Sequence, residues 1–526
     1  MRRINVQILQ IKDGMLHLEG NQVKLKLPEK SRLVIKSEDG KIYDIGHMSY
    51  AVETRRQRFY CADLPLKVGA RYGLYVLSEG GKMEKLEPIF GKFSRLTNLD
   101  NSYFVFDDYI IKHVSKEIRV YKNALKTRLA SAHRFNNTLK EIAGEDVLRL
   151  RKKAEKLRRS SKPIWLISDR TDLAGDNGEV LFEYLMKSDA KNKYDISFLI
   201  REDCPDYERI RKIGPVIGFG TEDHLVHVLA ATLNISSSGD EWVFNPFSAD
   251  RIYYRDMLDS KFVFLQHGVI KDDLSDWLQR SKKNISIFVT STKAEYDSIC
   301  GGNYGYDGNV VKLTGLPRHD KLWDSREKKI AFMPSWRNGI APNLIPGTSE
   351  REYSDEFKES EYCKFYNRLI NDERIISAMK ERGYTGVFYL HPNHRKQAPD
   401  FMGNDRITVW SGENDYTKIF GESALIVTDY SSVFFDFAYL RKPVIYTQFD
   451  RESFYSTHTY SSGYFDYERD GFGPVCLTYE ETVAAIVSAI ENDCATPGKY
   501  LERINSSLPF DDKGNCRRVL EEIEKL

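Results

Sequence analysis

The sequence predicts an α/β protein in which two doubly wound domains follow a small β-sandwich-like domain and a basic helical segment. Three observations carry this. From Pro163 onward, short buried-type apolar runs alternate with helical stretches, and the rhythm restarts near 326. Residues 1–105 instead show alternating β-branched and aromatic runs broken by Asp-Gly and Gly-Gly pairs, the punctuation of hairpins. The stretch between them combines dense positive charge with leucines at helical spacing.

With 526 residues, 41% hydrophobic and 29% charged, the chain has material for several cores and is not a disordered, collagenous or disulfide-stapled protein. Lys+Arg is 78 and Asp+Glu 77, so a net charge of +1 exerts no global pull on nucleic acid or membrane. No nucleic-acid partner is expected. The seven cysteines (61, 204, 300, 363, 476, 494, 516) are scattered, with no CxxC and no histidine at metal-ligand spacing; this favours reduced thiols and a cytoplasmic location. The opening MRRINVQILQIKDG meets Gln7, Gln10, Lys12 and Asp13 before any signal-like apolar core develops. The most apolar stretch, 424–447, is cut by Asp429, Asp436, Arg441 and Lys442, so no bilayer-spanning helix is expected.

In chain order, INVQILQI, MLHLEG, QVKLKL, RLVIKS, KIYDI, RFYCADL and YGLYVLS read as strands of a β-rich accessory domain over 1–105. Residues 106–162 read as a basic helical linker. From Lys112 to Lys162 there are sixteen Lys/Arg against five acids, a net +11, with apolar positions at 125, 129, 139, 142, 147, 150, 154 and 157 and a break near Gly144. Two readings stay open for it: a helix pair packing its apolar stripe on a neighbouring domain, or a contact with an anionic membrane or polymer. Residues 163–325 and 326–526 then form the two doubly wound domains, in which ligands bind at the carboxyl ends of the strands.

Four such strand ends carry polar residues. FVFLQHG places His267 directly after a strand, with Gly268 permitting a tight exit; IAFMPSWR delivers Ser335 and Arg337; VFYLHPNHR delivers His391; LIVTDYSSVFFDF delivers Ser431 and Ser432 at a helix start. A lone histidine there is commonly structural, but several polar strand ends in two sheets suit a ligand cleft. The serines either cap the helix or, with its amide groups, hold an anion. Asp436, amid Phe434, Phe435 and Phe437, needs a partner such as a ribose hydroxyl or a basic side chain. No P-loop, GxGxxG or trusted acidic pair for a divalent metal is present, and the acids of GDNGE (175–179) and GEND (412–415) read as loop or helix-start residues. An anionic ligand, with histidine for proton transfer, is the chemistry left.

LQHG at 265–268, TGLPRHD at 314–320, FMPSWR at 332–337, YLHP at 389–392 and VTDYSSVFFDFAYLRKPVIY at 427–446 together resemble the CDP-glycerol glycerophosphotransferase family of teichoic acid and capsule synthesis. SDRTDLAGDNGEVLF at 168–182 is similar to the segment that opens that family's first nucleotide-fold domain. The resemblance covers about 163–510 and implies a GT-B architecture of two Rossmann-like domains, acceptor side first and CDP-polyol donor side second. It implies that His267 is the base that deprotonates the acceptor and that His391 faces the donor diphosphate. Arg337, Ser431 and Ser432 would bind phosphate oxygens, and Asp436 would sit near nucleotide or polyol. The implied reaction moves glycerol or ribitol phosphate from CDP-glycerol or CDP-ribitol to a lipid-linked polymer, expelling CMP, with no metal or cofactor, on the inner face of the cell membrane. The long loop NGIAPNLIPGTSEREYSDE after the arginine bears on donor or acceptor choice. Competing readings are a nucleotide-sugar glycosyltransferase or epimerase of the same fold, and a non-catalytic adaptor.

Overall fold

The computed structural model describes residues 2–12, 14–21, 31–47, 59–240, 243, 245–345, 351–412, 414–457 and 462–526. The chain forms two compact units. The first comprises Met1–Gln266, Ser275–Val289 and Ile299–Lys312; the second His267–Leu274, Thr290–Ser298 and Leu313–Leu526.

The first unit opens with strands β1 (Arg3–Lys12), β2 (Met15–Asn21), β3 (Arg32–Ser37), β4 (Ile42–Asp44), β5 (Gly46–His47), β6 (Phe59–Pro65), β7 (Arg71–Leu77), β8 (Met83–Lys85), β9 (Glu87–Ser94), β10 (Tyr103–Phe106), β11 (Tyr109–Val114) and β12 (Glu117–Lys122). They make one sheet of order β5-β6-β2-β1-β9 and a second of order β10-β11-β12-β7-β3-β4, with β8 on β7. Alternate residues of both sheets, among them Val6, Leu9, Leu18, Ile35, Leu74 and Val120, share one apolar core, so the expected sandwich is present. Gly40 and Gly81 take positive φ (85° and 77°) at the β3–β4 and β7–β8 turns, as the Asp-Gly and Gly-Gly pairs predict. The QVKLKL strand expected at 22–27 lies outside the described residues.

One boundary moves. Residues 106–122, expected in the helical linker, are hairpin strands that complete the second sheet, with Ile110, Ile111, Ile118 and Val120 buried. The β module therefore runs to Lys122, and helix begins with α1 (Leu125–Ala143) and α2 (Glu145–Ser160), which meet at Gly144 with φ 84°.

Helix α2 answers half of the question about the basic segment. Val147, Leu150 and Ala154 pack into an apolar cluster with Ile164, Leu166 and Leu199. Its charges meet acids of the same unit: Arg151 forks onto Asp256 (2.8 and 2.5 Å), Arg158 reaches Asp259 (2.9 Å), and Arg149 (2.6 Å) and Lys153 both reach Glu222. The 255–259 turn also binds the β module, since Arg255 donates to the Phe90 carbonyl (2.7 Å) and Arg95 pairs with Asp259 (3.3 Å). Much of the α2 charge is thus internal mortar. Helix α1 buries Phe135 and Leu139 but leaves Leu125 and Leu129 about three-fifths exposed, at 61% and 59%.

The rest of the first unit is built on β13 (Ile164–Ser168), β14 (Asp195–Ile200), β15 (Val216–Gly218), β16 (Leu233–Ser236), β17 (Lys261–Phe264), β18 (Ile287–Thr290) and β19 (Val311–Leu313), ordered β15-β14-β13-β16-β17-β18-β19. The second unit holds β20 (Lys329–Phe332), β21 (Thr385–Tyr389), β22 (Ile407–Trp410), β23 (Leu425–Thr428), β24 (Val444–Thr447) and β25 (Val475–Cys476), parallel throughout in the order β22-β21-β20-β23-β24-β25. Counted from its own first strand, this is the doubly wound order 3-2-1-4-5-6, whose strand order reverses between β20 and β23. That crevice receives the Ser335–Arg337 and Asp429–Ser432 segments.

Candidate active site

At the switch point of the second sheet the organising group is Asp429, fully buried just after β23. Its carboxylate accepts the N–H groups of Ser335 (2.8 Å) and Tyr430 (2.6 Å) and the Tyr366 hydroxyl (3.3 Å), and it pairs with Arg337 (2.9 Å). Arg337 also forks onto Asp450 (2.5 and 3.2 Å), donates to the Ser335 carbonyl (2.8 Å), and lies about 5 Å from the ring centres of Tyr362, Tyr430 and Phe454. Burial alone would lower its pKa; the two carboxylates outweigh that and hold it well above the usual value. This geometry does not favour the expectation that Arg337 binds phosphate. At 7% exposure, with its donors committed to two aspartates, it ties β20, β23 and β24 together. Ser335, also buried, contributes through its backbone N–H and carbonyl.

His267 belongs to the same unit. It does not follow its strand directly, because β17 ends at Phe264 and Gln266 turns the chain with φ 64°. This bend exposes the imidazole, while the Ile270 N–H is held by the buried carboxylate of Glu295 (2.6 Å). Gly268 lies against Ser432: a Cβ there would meet the serine Oγ at 2.8 Å, so a larger residue would force the serine hydroxyl to turn away. The His267 carbonyl accepts from Arg318 Nη1 (2.7 Å), and the same guanidinium sends Nε and Nη2 to the two oxygens of Asp436, both at 2.7 Å.

Asp436 is thus matched to a basic side chain, the second partner type anticipated for it. Its other partner is the fully buried His319, Nε2 at 3.2 Å. Burial opposes ionisation, but Arg318 and His319 prevail and hold the carboxyl far below the usual range. The expected contact of Asp436 with nucleotide or polyol is not favoured by this geometry, because both oxygens are already taken. The helix bearing it, α3 (Val433–Tyr439), has Ser432 at its N-cap position without a side-chain cap bond; Ser431 Oγ instead accepts from the Val433 N–H at 3.4 Å.

His391 opens the 3-10 turn Pro392–Asp400 after β21. Its Nδ1 accepts the Asn393 N–H (3.2 Å), which leaves Nε2 to carry the proton of the neutral ring. The ring stacks on Trp336, centroids 6.1 Å apart and planes at 27°. His394, one turn on, is buried against Phe357 and Tyr362; burial, with His391 and Arg337 adding, pushes its pKa down to about 3.

Residues 151–525 match the family model of the CDP-glycerol:poly(glycerophosphate) glycerophosphotransferases. The chain belongs to that family. It is 34% identical, over 99% of its own length and 60% of the relative's, to the minor teichoic acid biosynthesis protein GgaB of Bacillus subtilis (strain 168). It is 38% identical to the teichoic acid poly(glycerol phosphate) polymerase of the same strain over 36% of this chain and 25% of that one. The chain thus spans less than two-thirds of the length of these curated relatives. Among solved structures, the wall teichoic acid polymerase TagF superposes with a TM-score of 0.51 at 14% identity, over 75% of this chain and 98% of that one. That likeness shows the fold, the GT-B type expected from the resemblance.

In this family member the SDRTDLAGDNGEVLF segment has a structural explanation within the first unit. Asp169, after β13, accepts N–H groups of Asp176 (3.0 Å), Gly178 (2.7 Å) and Glu179 (3.1 Å) and the Ser237 hydroxyl (2.5 Å). It fills the N-terminus of the helix Asn177–Lys187 with an internal carboxyl group. Burial, with Asp176 beside it, pushes its pKa up to about 7. Asp176 caps that helix and Asp415 caps Tyr416–Glu422, so these two acids of GDNGE and GEND do serve helix starts. Among the described residues no three His, Cys, Asp or Glu side chains converge as a metal site would require, and no helix is long and apolar enough to cross a membrane.

Sequence reasoning gathered His267, Gly268, Ser432 and Asp436 as candidates, and the structure brings them together. It missed Arg318, His319, Asp429 and Asp450. Two signals were in view: TGLPRHD closes a strand with two basic residues, and Asp429 sits inside the quoted VTDYSS run.

Proposed function

We propose that the chain transfers glycerol phosphate or ribitol phosphate from a CDP-polyol donor to a hydroxyl of a lipid-linked teichoic acid or capsular polymer, releasing CMP. Family membership over 151–525 and the likeness to GgaB along 99% of the chain support the reaction class. TagF has been solved after a soak with CDPG, which favours a CDP-linked donor. The observation that carries the reading is the cluster of His267, Gly268 and Ser432 around Arg318 at the start of α3.

In the proposed step His267 takes the proton of the acceptor hydroxyl. The acceptor oxygen attacks the phosphorus that bears the polyol, and the bond from that phosphorus to the CMP oxygen breaks with its electron pair leaving on CMP. His391, with its Nε2 proton, faces the departing phosphate, and the Ser431 and Ser432 hydroxyls hold non-bridging oxygens. Such transfers depend on positioning and charge stabilisation. No cofactor is proposed, and turnover is expected to survive EDTA; activity restored only by added Mg²⁺ would overturn that part.

The deciding experiment incubates the protein with CDP-glycerol, CDP-ribitol and UDP-sugars separately, with a polymer acceptor, and measures released nucleotide. CMP is the expected product; UDP release would indicate glycosyl transfer instead. His267→Ala is expected to leave only a residual CMP release in a folded protein, and full turnover would remove it from the mechanism. We also propose peripheral attachment to the cytoplasmic face of the membrane through α1, where exposed Leu125 and Leu129 lie beside Lys126 and Arg128. Flotation on anionic vesicles, lost on replacing Lys126 and Arg128 by Glu, tests it; equal binding to neutral vesicles would refute the electrostatic account.

A further inference from the structure

We propose that Arg318 is a positioning residue for His267, and that Asp436 serves the reaction by fixing Arg318 rather than by touching the donor. The inference rests on the reading above.

A guanidinium is a rigid planar fork. Here two of its nitrogens are spent on one carboxylate, Nε and Nη2 on Asp436, and the remaining Nη1 reaches the His267 carbonyl at 2.7 Å. Once Asp436 sets the fork, the place of the His267 carbonyl is set with it. Asp436 itself has little freedom: it is 1% exposed, and the carboxylate is flanked by His319, whose ring lies 4.3 Å from that of Tyr439.

The backbone bearing Arg318 is anchored too. It lies in the 3-10 turn Pro317–Lys321, where Asp320 accepts the N–H groups of Asn515 (2.9 Å) and Cys516 (2.8 Å) and the Asn515 side-chain amide (2.7 Å), all at the start of the helix Asn515–Ile523. TGLPRHD therefore works as a clamp: one residue grips the histidine turn, the next supports the carboxylate, and the third ties the turn to the C-terminal helix. From the opposite side Ser432 abuts Gly268, so the turn is held on both flanks while the imidazole stays exposed. Displacing a reacting group by about 1 Å costs on the order of 100-fold in rate. A lysine cannot reproduce the grip, because a single ammonium lacks the fork.

The test measures CMP release from the CDP-polyol that the wild type uses, for Arg318→Met, Arg318→Lys, Arg318→Met/Asp436→Asn, His267→Ala and His267→Ala/Arg318→Met. The expected result is a fall in kcat of about 100-fold for Arg318→Met with donor KM within about threefold of wild type. Arg318→Lys gives no rescue, and His267→Ala/Arg318→Met is no slower than His267→Ala, because the arginine acts through the histidine. The Met/Asn pair leaves no unpaired buried charge, so it reports on the rate even where Arg318→Met alone unfolds. Rescue by lysine, a large rise in donor KM, or losses that multiply in the double variant would overturn the inference and make Arg318 a direct phosphate ligand. If the wild type turns over no CDP-polyol, the functional reading fails and the inference falls with it; if it does and the Arg318 variants match it, only the inference fails.

Discussion

Replacing Arg337 by Met separates a buried tie from a phosphate ligand. The side chain is 7% exposed and faces Asp429, which is fully buried, and Asp450. Methionine keeps most of the volume and the contact with the surrounding rings but leaves two carboxylates without a counter-charge. Asp429 retains its bonds from Ser335, Tyr430 and Tyr366, which soften the loss without neutralising the charge. Removing one partner of a buried pair costs about 3–5 kcal/mol. For a unit of this size each kcal/mol moves Tm by roughly 2–4 °C, so Arg337→Met is expected to melt about 6–20 °C below wild type. Thermal unfolding by circular dichroism at neutral pH reads this, alongside donor KM. A variant melting within about 2 °C of wild type, with donor KM raised tenfold or more, would refute the structural role and return Arg337 to the phosphate.

Acid should weaken the second unit. Burial pushes His394 down to about 3, whereas in the unfolded chain it takes its proton near 6.5. Below 6.5 the unfolded chain therefore binds more protons at this histidine, so stability falls as pH falls, by about 1.4 kcal/mol per pH unit, until the folded pKa is reached. Urea midpoints between pH 7.5 and 5 check this, and His394→Leu should flatten the slope of the second unit; a wild-type midpoint constant over that range contradicts it. Gly268→Ala forces its Cβ onto Ser432 Oγ, so it should lose activity and about 1–3 kcal/mol of stability, and Gly268→Ala/Ser432→Ala should regain most of the stability. Equal melting of the single and double variants would disprove the close contact. Gly315→Ala meets both a positive φ of 77° and the Asn515 side chain, and should cost at least about 1–3 kcal/mol in a denaturant melt; a neutral result would mean that the Asn515 side chain moves away freely.

The alternation of β13–β19 and β20–β25 with helices was legible because buried parallel strands are short runs of Ile, Val, Leu and Phe. The Asp39-Gly40 and Gly80-Gly81 hairpins were legible because their turns require positive φ. Residues 106–122 were misjudged because their lysines were weighed as part of a charge count, while the alternation of Ile118 and Val120 with Arg119 and Tyr121 marks a strand. The partners of Arg337 were illegible for a related reason: an arginine after a strand looks the same in sequence whether it meets an anion in solvent or Asp429 and Asp450, which lie 92 and 113 residues away.

By itself the sequence determined the elements, the strand ends where chemistry is sought, and, through its ordered motifs, the family. Those are properties of local spacing and residue type, and both survive in one dimension. Tertiary structure decided which charge answers which. It gave Asp436 to Arg318, Arg337 to Asp429 and Asp450, and half of the basic helix to Asp256, Asp259 and Glu222. The reason is physical: a buried ion is stable only with a partner in contact, and contact between distant residues exists only once the chain has folded.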